Sequence, residues 1–228
     1  MGTEYRNEYK YLLSDTDALV LRNRIQNLIP LDSHSGNDGY YLIRSLYFDD
    51  QQNSCYYQGE DGVDYRNKYR IRYYNNDTSR IILEKKSKTH GMTKKVSVRI
   101  SEEECRLFMK GEYGGNANDL VIDLKNRCYK PKVIVSYRRR AYIYTLGNVR
   151  ITFDYDLTSS NMVENFLHPE KLSERPIFPI GSSLLEVKWD GFMPEFIKSV
   201  LDINSIQWTS FSKYYLCRKY NNQGGIMI

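Results

Sequence analysis

Charged and polar residues recur at every second position in segment after segment of this 228-residue chain. Lys68, Arg70 and Arg72 do so, then Glu84, Lys86 and Lys88, then Lys95, Ser97 and Arg99. Arg150, Thr152, Asp154 and Asp156 repeat the pattern, as do Glu186 and Lys188. The interleaved positions are often apolar: Ile71, Leu83, Val96, Val98, Ile151, Phe153, Leu185 and Val187. A period of two means β-strands with two unlike faces. An ordinary half-buried sheet turns its charged face to water. Here that face holds more arginine than solubility requires, with few carboxylates among the cations. It reads as the lining of a charged cavity.

Strands are predicted at Glu4–Leu12, Tyr41–Asp49, Lys68–Tyr74, Arg80–Ser87, Thr93–Ile100, Lys132–Thr145, Asn148–Leu157 and Ser183–Asp190. Short turns rich in Asn, Asp and Gly join several of them, which suggests an antiparallel meander. Helices are expected after Ser14, with a stripe of Ala18, Leu21, Ile25 and Leu28, and after Ser101, where Glu104 completes a capping box. Others are read at Asn118–Cys128, Pro194–Leu201 and Thr209–Tyr220. Ser33–Gly39 reads as loop. Thr158–Ser182 carries three prolines and little periodicity, as a lid or rim would. Eight antiparallel strands can close into a barrel that holds side chains or one ligand. The apolar faces need helices to cover them, so the charged faces point inward. The expected fold is α+β: one domain over residues 1–228, an eight-stranded antiparallel β-barrel with helices outside.

The composition is globular, 41% hydrophobic and 27% charged, with 33 Lys and Arg against 28 Asp and Glu. That mild basic excess permits an anionic partner without demanding one. Cys55, Cys105, Cys128 and Cys217 form no CxxC, so a reducing, cytoplasmic setting is the default. No apolar run spans a bilayer and the N-terminus is not a signal peptide. Membrane association is expected only through a partner.

The cations that share the inward parity are Arg6, Lys10, Lys68, Arg70, Arg72, Lys86, Lys88, Lys95, Arg99, Arg139, Arg150 and Lys188. Lys213, in SFSKYY, is positioned to join them. So many confined cations repel one another unless a polyanion lies among them. Arginine forks match phosphate oxygens and lysines act as point charges. Several phosphates in a row satisfy such a lining. The matching carboxylates, Glu8, Glu84, Asp154, Asp156 and Glu186, suit ion pairing or the ligation of Mg²⁺ or Mn²⁺.

Eight motifs carry a family resemblance: RNEYKY (Arg6–Tyr11), SLYFDD (Ser45–Asp50), KYRIRYY (Lys68–Tyr74), LEKKSK (Leu83–Lys88), SYRRRAY (Ser136–Tyr142), VRITFDYDL (Val149–Leu157), LLEVKW (Leu184–Trp189) and SFSKYY (Ser210–Tyr215). In this order, over nearly the whole chain, they resemble the VTC domain. That is the polyphosphate-polymerase domain of the vacuolar transporter chaperone complex, a branch of the triphosphate tunnel metalloenzymes. The resemblance implies an eight-stranded tunnel and metal-dependent phosphoryl transfer from ATP or another nucleoside triphosphate to polyphosphate. It implies phosphate contacts from Lys10, Arg70, Arg72, Lys86, Lys95, Arg139, Arg150, Lys188 and Lys213. Glu186 would hold Mn²⁺ or Mg²⁺, with Glu84 and Asp154 as further candidates, and Arg70, Arg72, Lys86, Arg139, Arg150 and Glu186 would serve catalysis. Inorganic phosphate or pyrophosphate are the other small partners implied. The first strand lacks the double-Glu ExExK of the wider superfamily, which favours the VTC branch over the cyclase and thiamine-triphosphatase branches. The expectation is a stand-alone, bacterial-type version, with a membrane-protein partner conceivable.

Blander readings sit beside these. One Arg-bearing strand is ordinarily a solvated face; several in register are not. Glu84 serves equally well as an ion-pair partner, and Asp156 falls near a strand end. Arg138, Arg140 and Lys85 have the outward parity, and Arg44 belongs to a surface or rim. His34, His90 and His168 are loop residues. Relief of cation crowding predicts that Arg72→Ala or Arg139→Ala costs little stability. The alternative functions are a triphosphate hydrolase and a non-catalytic polyphosphate or nucleotide sensor. Nucleic-acid binding ranks last, because no recognised motif appears.

Overall fold

One sheet, curled on itself, organises the chain. The computed structural model describes residues 6–114, 118–202 and 208–222. The main strands are β1 (Asn7–Ser14), β2 (Tyr41–Asp49), β3 (Arg66–Tyr74), β4 (Asp77–Thr89), β5 (Met92–Ile100), β6 (Lys130–Tyr144), β7 (Val149–Ser160) and β9 (Ser182–Trp189). A two-residue β8 (Arg175–Pro176) pairs with β7. The path is β1-β9-β7-β6-β2-β3-β4-β5, antiparallel throughout. A single bridge between Arg6 and Thr93 brings the two outer strands together, with backbone bonds of 3.1 and 3.3 Å. Glu4 and Tyr5, assigned from sequence to the first strand, lie outside the described residues.

The apolar faces of the strands point out of the curl, and the core lies between wall and helices. One cluster joins Ile71, Tyr73 and Leu83 to α3 (Glu102–Lys110), α4 (Asp119–Asn126) and α6 (Lys213–Asn222) through Phe108, Leu124, Tyr214 and Cys217. A second joins Ile151, Phe153, Leu185 and Val187 to α1 (Asp15–Gln26) and α5 (Glu195–Leu201). Ser14 caps α1 by accepting from the Asp17 amide, and Ser101 with Glu104 forms the full capping box on α3. Leu28 leaves the expected stripe: α1 ends at Gln26, and Leu28 is 52% exposed.

Three other features depart from the sequence reading. The helix α2 (Ser54–Glu60) was not foreseen; it is short and starts from a left-handed Asn53. The Thr158–Ser182 segment is no lid or rim of the cavity described below. It straps the outer face of the wall, burying Phe166 and Ile177 in the core. Its Glu174 faces Arg44 at 3.6 Å, and Arg44 also donates to Ser136, Tyr73 and Asn76. Arg44 is therefore buried outside the wall rather than set on a surface. Among the described residues no helix is long and apolar enough to cross a membrane.

Candidate functional site

The inward faces enclose a cavity of about 1110 Å³. Each strand contributes alternate residues, because successive side chains point to opposite faces. β3 supplies Arg66, Lys68, Arg70, Arg72 and Tyr74, and β4 supplies Arg80, Ile82, Glu84, Lys86 and Lys88. β1 adds Glu8 and Lys10, with Arg6 just before it; β9 adds Glu186 and Lys188; β6 adds Tyr137 and Arg139; and β7 adds Arg150. Lys95 joins from β5 at the rim, its side chain 57% exposed. Lys213 enters from the first turn of α6. The structure thus gathers Lys10, Arg70, Arg72, Lys86, Lys95, Arg139, Arg150, Lys188, Lys213, Glu84 and Glu186 around one space.

Some of the expected lining lies elsewhere. Arg99 is exposed and donates to the Ser79 carbonyl. Asp156 leaves the face because β7 bulges there: its φ is 53°, the register with β6 shifts, and it pairs outward with Arg138 at 2.7 Å. Asp154 stays on the inward side but sits behind the lining, fully buried. Lys85 turns out to Asp123 on α4 at 2.5 Å, and Arg140 packs over Tyr40 and Tyr142.

The cations are not left crowded. Register places a carboxylate beside most of them. Arg70 Nε donates to Glu84 at 2.7 Å, with Lys95 at 3.2 Å and Arg72 at 3.9 Å from the same carboxylate. Arg72 is further fixed by the Ser45 and Tyr137 hydroxyls. Arg139 grips Asp154 with two bonds of 2.6 and 2.8 Å, and Lys213 closes on Asp154 at 2.6 Å. Burial alone would raise the Asp154 carboxyl, yet Arg139 and Lys213 hold it below its ordinary range; Asp154 in turn raises Lys213. Burial likewise acts against Glu84, and Arg70, Arg72 and Lys95 overcome it. The two carboxylates offered as further metal ligands are thus both tied to cations.

Glu186 has a different setting. Lys188 stands 2.7 Å from it and 3.5 Å from Glu8, bridging the two carboxylates, and Arg139 lies 3.5 Å away. Glu8 also meets Lys86 at 2.9 Å and Lys10 at 3.6 Å. Burial raises both acids, but the surrounding lysines win and keep both ionised. Two adjacent carboxylates form a hard, all-oxygen donor set that fits Mg²⁺ or Mn²⁺. Among the described residues no group of three acidic, His or Cys side chains could hold a metal. A metal here would take its remaining ligands from water or phosphate, as Mg²⁺ commonly does. Sequence reasoning put Glu8 inward but did not make it Glu186's partner; its parity with Lys10 was the available signal.

Asp32 was missed altogether. It comes from the loop before β2, is buried, and binds Arg150 at 2.6 Å and His34 at 2.8 Å. Nothing in its periodicity marks it. His34, read as a plain loop residue, therefore stands at the cavity mouth.

The lysines give the site a pH signature. Burial pushes Lys86 down to about 7 despite Glu8, and burial with Lys10, Lys86 and Arg66 nearby holds Lys68 well below its ordinary 10.5. Burial thus favours the uncharged form of Lys86 as pH rises above about 7. A polyanion bound there would favour the charged form, so binding should take up protons and affinity should fall as pH rises. Calorimetry of tripolyphosphate binding at pH 8, in buffers of different ionisation enthalpy, should show proton uptake that Lys86→Gln diminishes. Buffer-independent heats would refute it.

A curled antiparallel sheet with an ionic interior and helices outside defines a tunnel-type fold. The VTC domain family model matches residues 5–221, and the chain belongs to that family. Solved structures agree on the fold. A proposed adenylyl cyclase from Hippeastrum, described as having a dominant triphosphatase activity, is 15% identical, with a TM-score of 0.55 and 97% of each chain covered. The PH1819 protein of Pyrococcus horikoshii is 13% identical at a TM-score of 0.53, covering 94% of this chain and 99% of that one. A proposed adenylate cyclase of Bacillus halodurans is 18% identical at 0.51, with 88% of each covered. No curated protein matches the chain.

Proposed function

We propose that this chain is a metal-dependent phosphotransferase that builds polyphosphate from ATP inside its cavity. The observation that carries the reading is the convergence of Arg70, Arg72, Arg139, Lys10, Lys86, Lys188 and Lys213 on one cavity that also holds the Glu8–Glu186 pair. Membership of the VTC family supports it. Phosphoryl transfer asks little covalent chemistry of a protein and much positioning and charge neutralisation. The arginines would align the phosphates by forked contacts, and the lysines would follow the charge as it moves to the leaving group. Glu186 and Glu8 would hold Mn²⁺ or Mg²⁺, which would neutralise phosphate oxygens. Glu84 and Asp154 would orient the arginines rather than ligate the metal. Each of the seven cations named above already has a carboxylate partner, so the ligand exchanges one ion pair for another. That keeps the empty site foldable.

The test is incubation with ATP and Mn²⁺, with and without a short polyphosphate primer, read on gels and by free phosphate. A lengthening polymer is the expected result. Free phosphate without polymer would replace the polymerase by a triphosphatase. Tight binding without product would replace it by a polyphosphate or nucleotide sensor.

A further inference from the structure

The two mouths of the cavity differ in chemistry. Along β3 the inward side chains run Arg66, Lys68, Arg70, Arg72 and then Tyr74. Along β4 they run Lys88, Lys86, Glu84, Ile82 and Arg80. The register sets Arg66 beside Lys88 and Tyr74 beside Asp77, so both strands carry their uncharged residues toward the same mouth. There the Tyr74 ring lies 6.0 Å from the Tyr41 ring, and Arg72 stands 6.0 Å over it. The Tyr41 hydroxyl accepts from Arg150 at 2.9 Å, and Arg150 is tied to Asp32. Arg80 and Arg150 at this mouth are thus matched by Asp32 and Asp77.

At the opposite mouth Arg66, Lys68, Lys88 and Lys10 converge. Glu60 lines it and accepts from the Tyr215 hydroxyl at 2.9 Å, and Glu8 reaches it through Lys10, so four cations here face two lining carboxylates. Lys68 is held by the Ser212 hydroxyl and Lys10 by the Phe211 carbonyl, with Glu8 3.6 Å from Lys10.

A nucleoside triphosphate has the same asymmetry: uncharged ring and sugar at one end, the densest negative charge at the terminal phosphate. Resting on the phosphate-tunnel reading above, we infer that the nucleoside occupies the Tyr41–Tyr74 mouth, its base against the Tyr74 ring. The terminal phosphate then points toward Lys10, Lys68 and Lys88. The reverse orientation would set the terminal phosphate beside Asp32 and Asp77, with the base near Trp208 at the lysine-rich end. Tyr74 is in this view a substrate-contacting residue that separates nucleotides from inorganic polyphosphates.

The experiment compares ATP with inorganic tripolyphosphate, which shares the phosphates and lacks the nucleoside. Binding is measured by calorimetry in metal-free buffer for the unaltered protein, Tyr74→Ala, Tyr74→Phe and Trp208→Ala. Trp208 lines the lysine-rich end, where its segment runs beside Lys10 and Tyr11. Tyr74→Ala should weaken ATP about tenfold while tripolyphosphate stays within about twofold, because losing one stacked ring costs about that much. Tyr74→Phe should keep ATP affinity, and Trp208→Ala should change neither ligand. An ATP-specific loss at Trp208→Ala would assign the nucleoside to the other mouth and overturn the inference. So would an equal loss of both ligands, or no loss, at Tyr74→Ala. Failure of the unaltered protein to bind tripolyphosphate would instead remove the phosphate reading, and this inference with it.

Discussion

Glu186→Gln should lower metal-dependent turnover by about a hundredfold or more, the scale of removing one group that stabilises transferring charge. The change keeps the side chain's shape and removes one of two adjacent carboxylates. Its neighbours are provided for: Lys188 retains Glu8 at 3.5 Å, and Arg139 retains Asp154. The fold should therefore survive, which circular dichroism and the melting temperature will show. Tripolyphosphate affinity without metal should be equal or higher, since a negative charge has left the cavity. Steady-state rates over a Mn²⁺ titration check the first point and calorimetry the second. Turnover that stays unchanged removes Glu186 from the metal site. A collapse of metal-free binding would show instead that Glu186 orders the cations.

Asp154→Asn should be among the most destabilising single changes in the wall. The carboxylate is fully buried and holds Arg139 by two bonds and Lys213 by a third. Replacing it removes the closest counter-charge of two largely buried cations and leaves Arg139 with Glu186 at 3.5 Å, at a cost of about 3 kcal/mol. For a chain of this length that lowers the melting temperature by roughly 6–12 °C. Tripolyphosphate at about a hundred times its dissociation constant should return about 2.7 kcal/mol, because it binds the folded state and supplies the missing charge. A Tm within 2 °C of the unaltered protein, on a scale where about 1 kcal/mol moves it 2–4 °C, would contradict this account. The same geometry revises the view that thinning the cations is harmless. Arg139→Ala would strand Asp154 with Lys213 alone and should also destabilise. Arg72→Ala costs less, about 1–2 kcal/mol, because Glu84 keeps Arg70 and Lys95.

The architecture was legible because its signal is local. Arg66 to Tyr74 shows its two faces in a run of nine residues, and the apolar face requires a cover that only outside helices give. The family could be read for the same reason, since its motifs are strand segments. What stayed hidden depends on register between strands far apart in sequence. That Glu8 meets Glu186, and that Asp154 lies behind Arg139, follows from the β1–β9 and β6–β7 pairings. One extra residue at the Asp156 bulge moved that carboxylate to the other side of the wall. Asp32, α2 and the outer strap belong to irregular or short segments, where no period exists to be read. Arg44 misled because a buried arginine outside a barrel has the parity of a surface one. Its partner Glu174 arrives from the strap.

The first strand and the last helix meet at the same site. Lys10 reaches across 201 positions of chain to the carbonyl of Phe211, and Lys213, two residues on, completes the Asp154 cluster. Contacts so distant in sequence form late and slowly. During synthesis, the strands made first must wait for α6 before Lys213 joins the lining. A partly made or C-terminally clipped chain would carry most of the arginines but not the full set of charges. On the proposed function, affinity for polyanions would be complete only once α6 has docked.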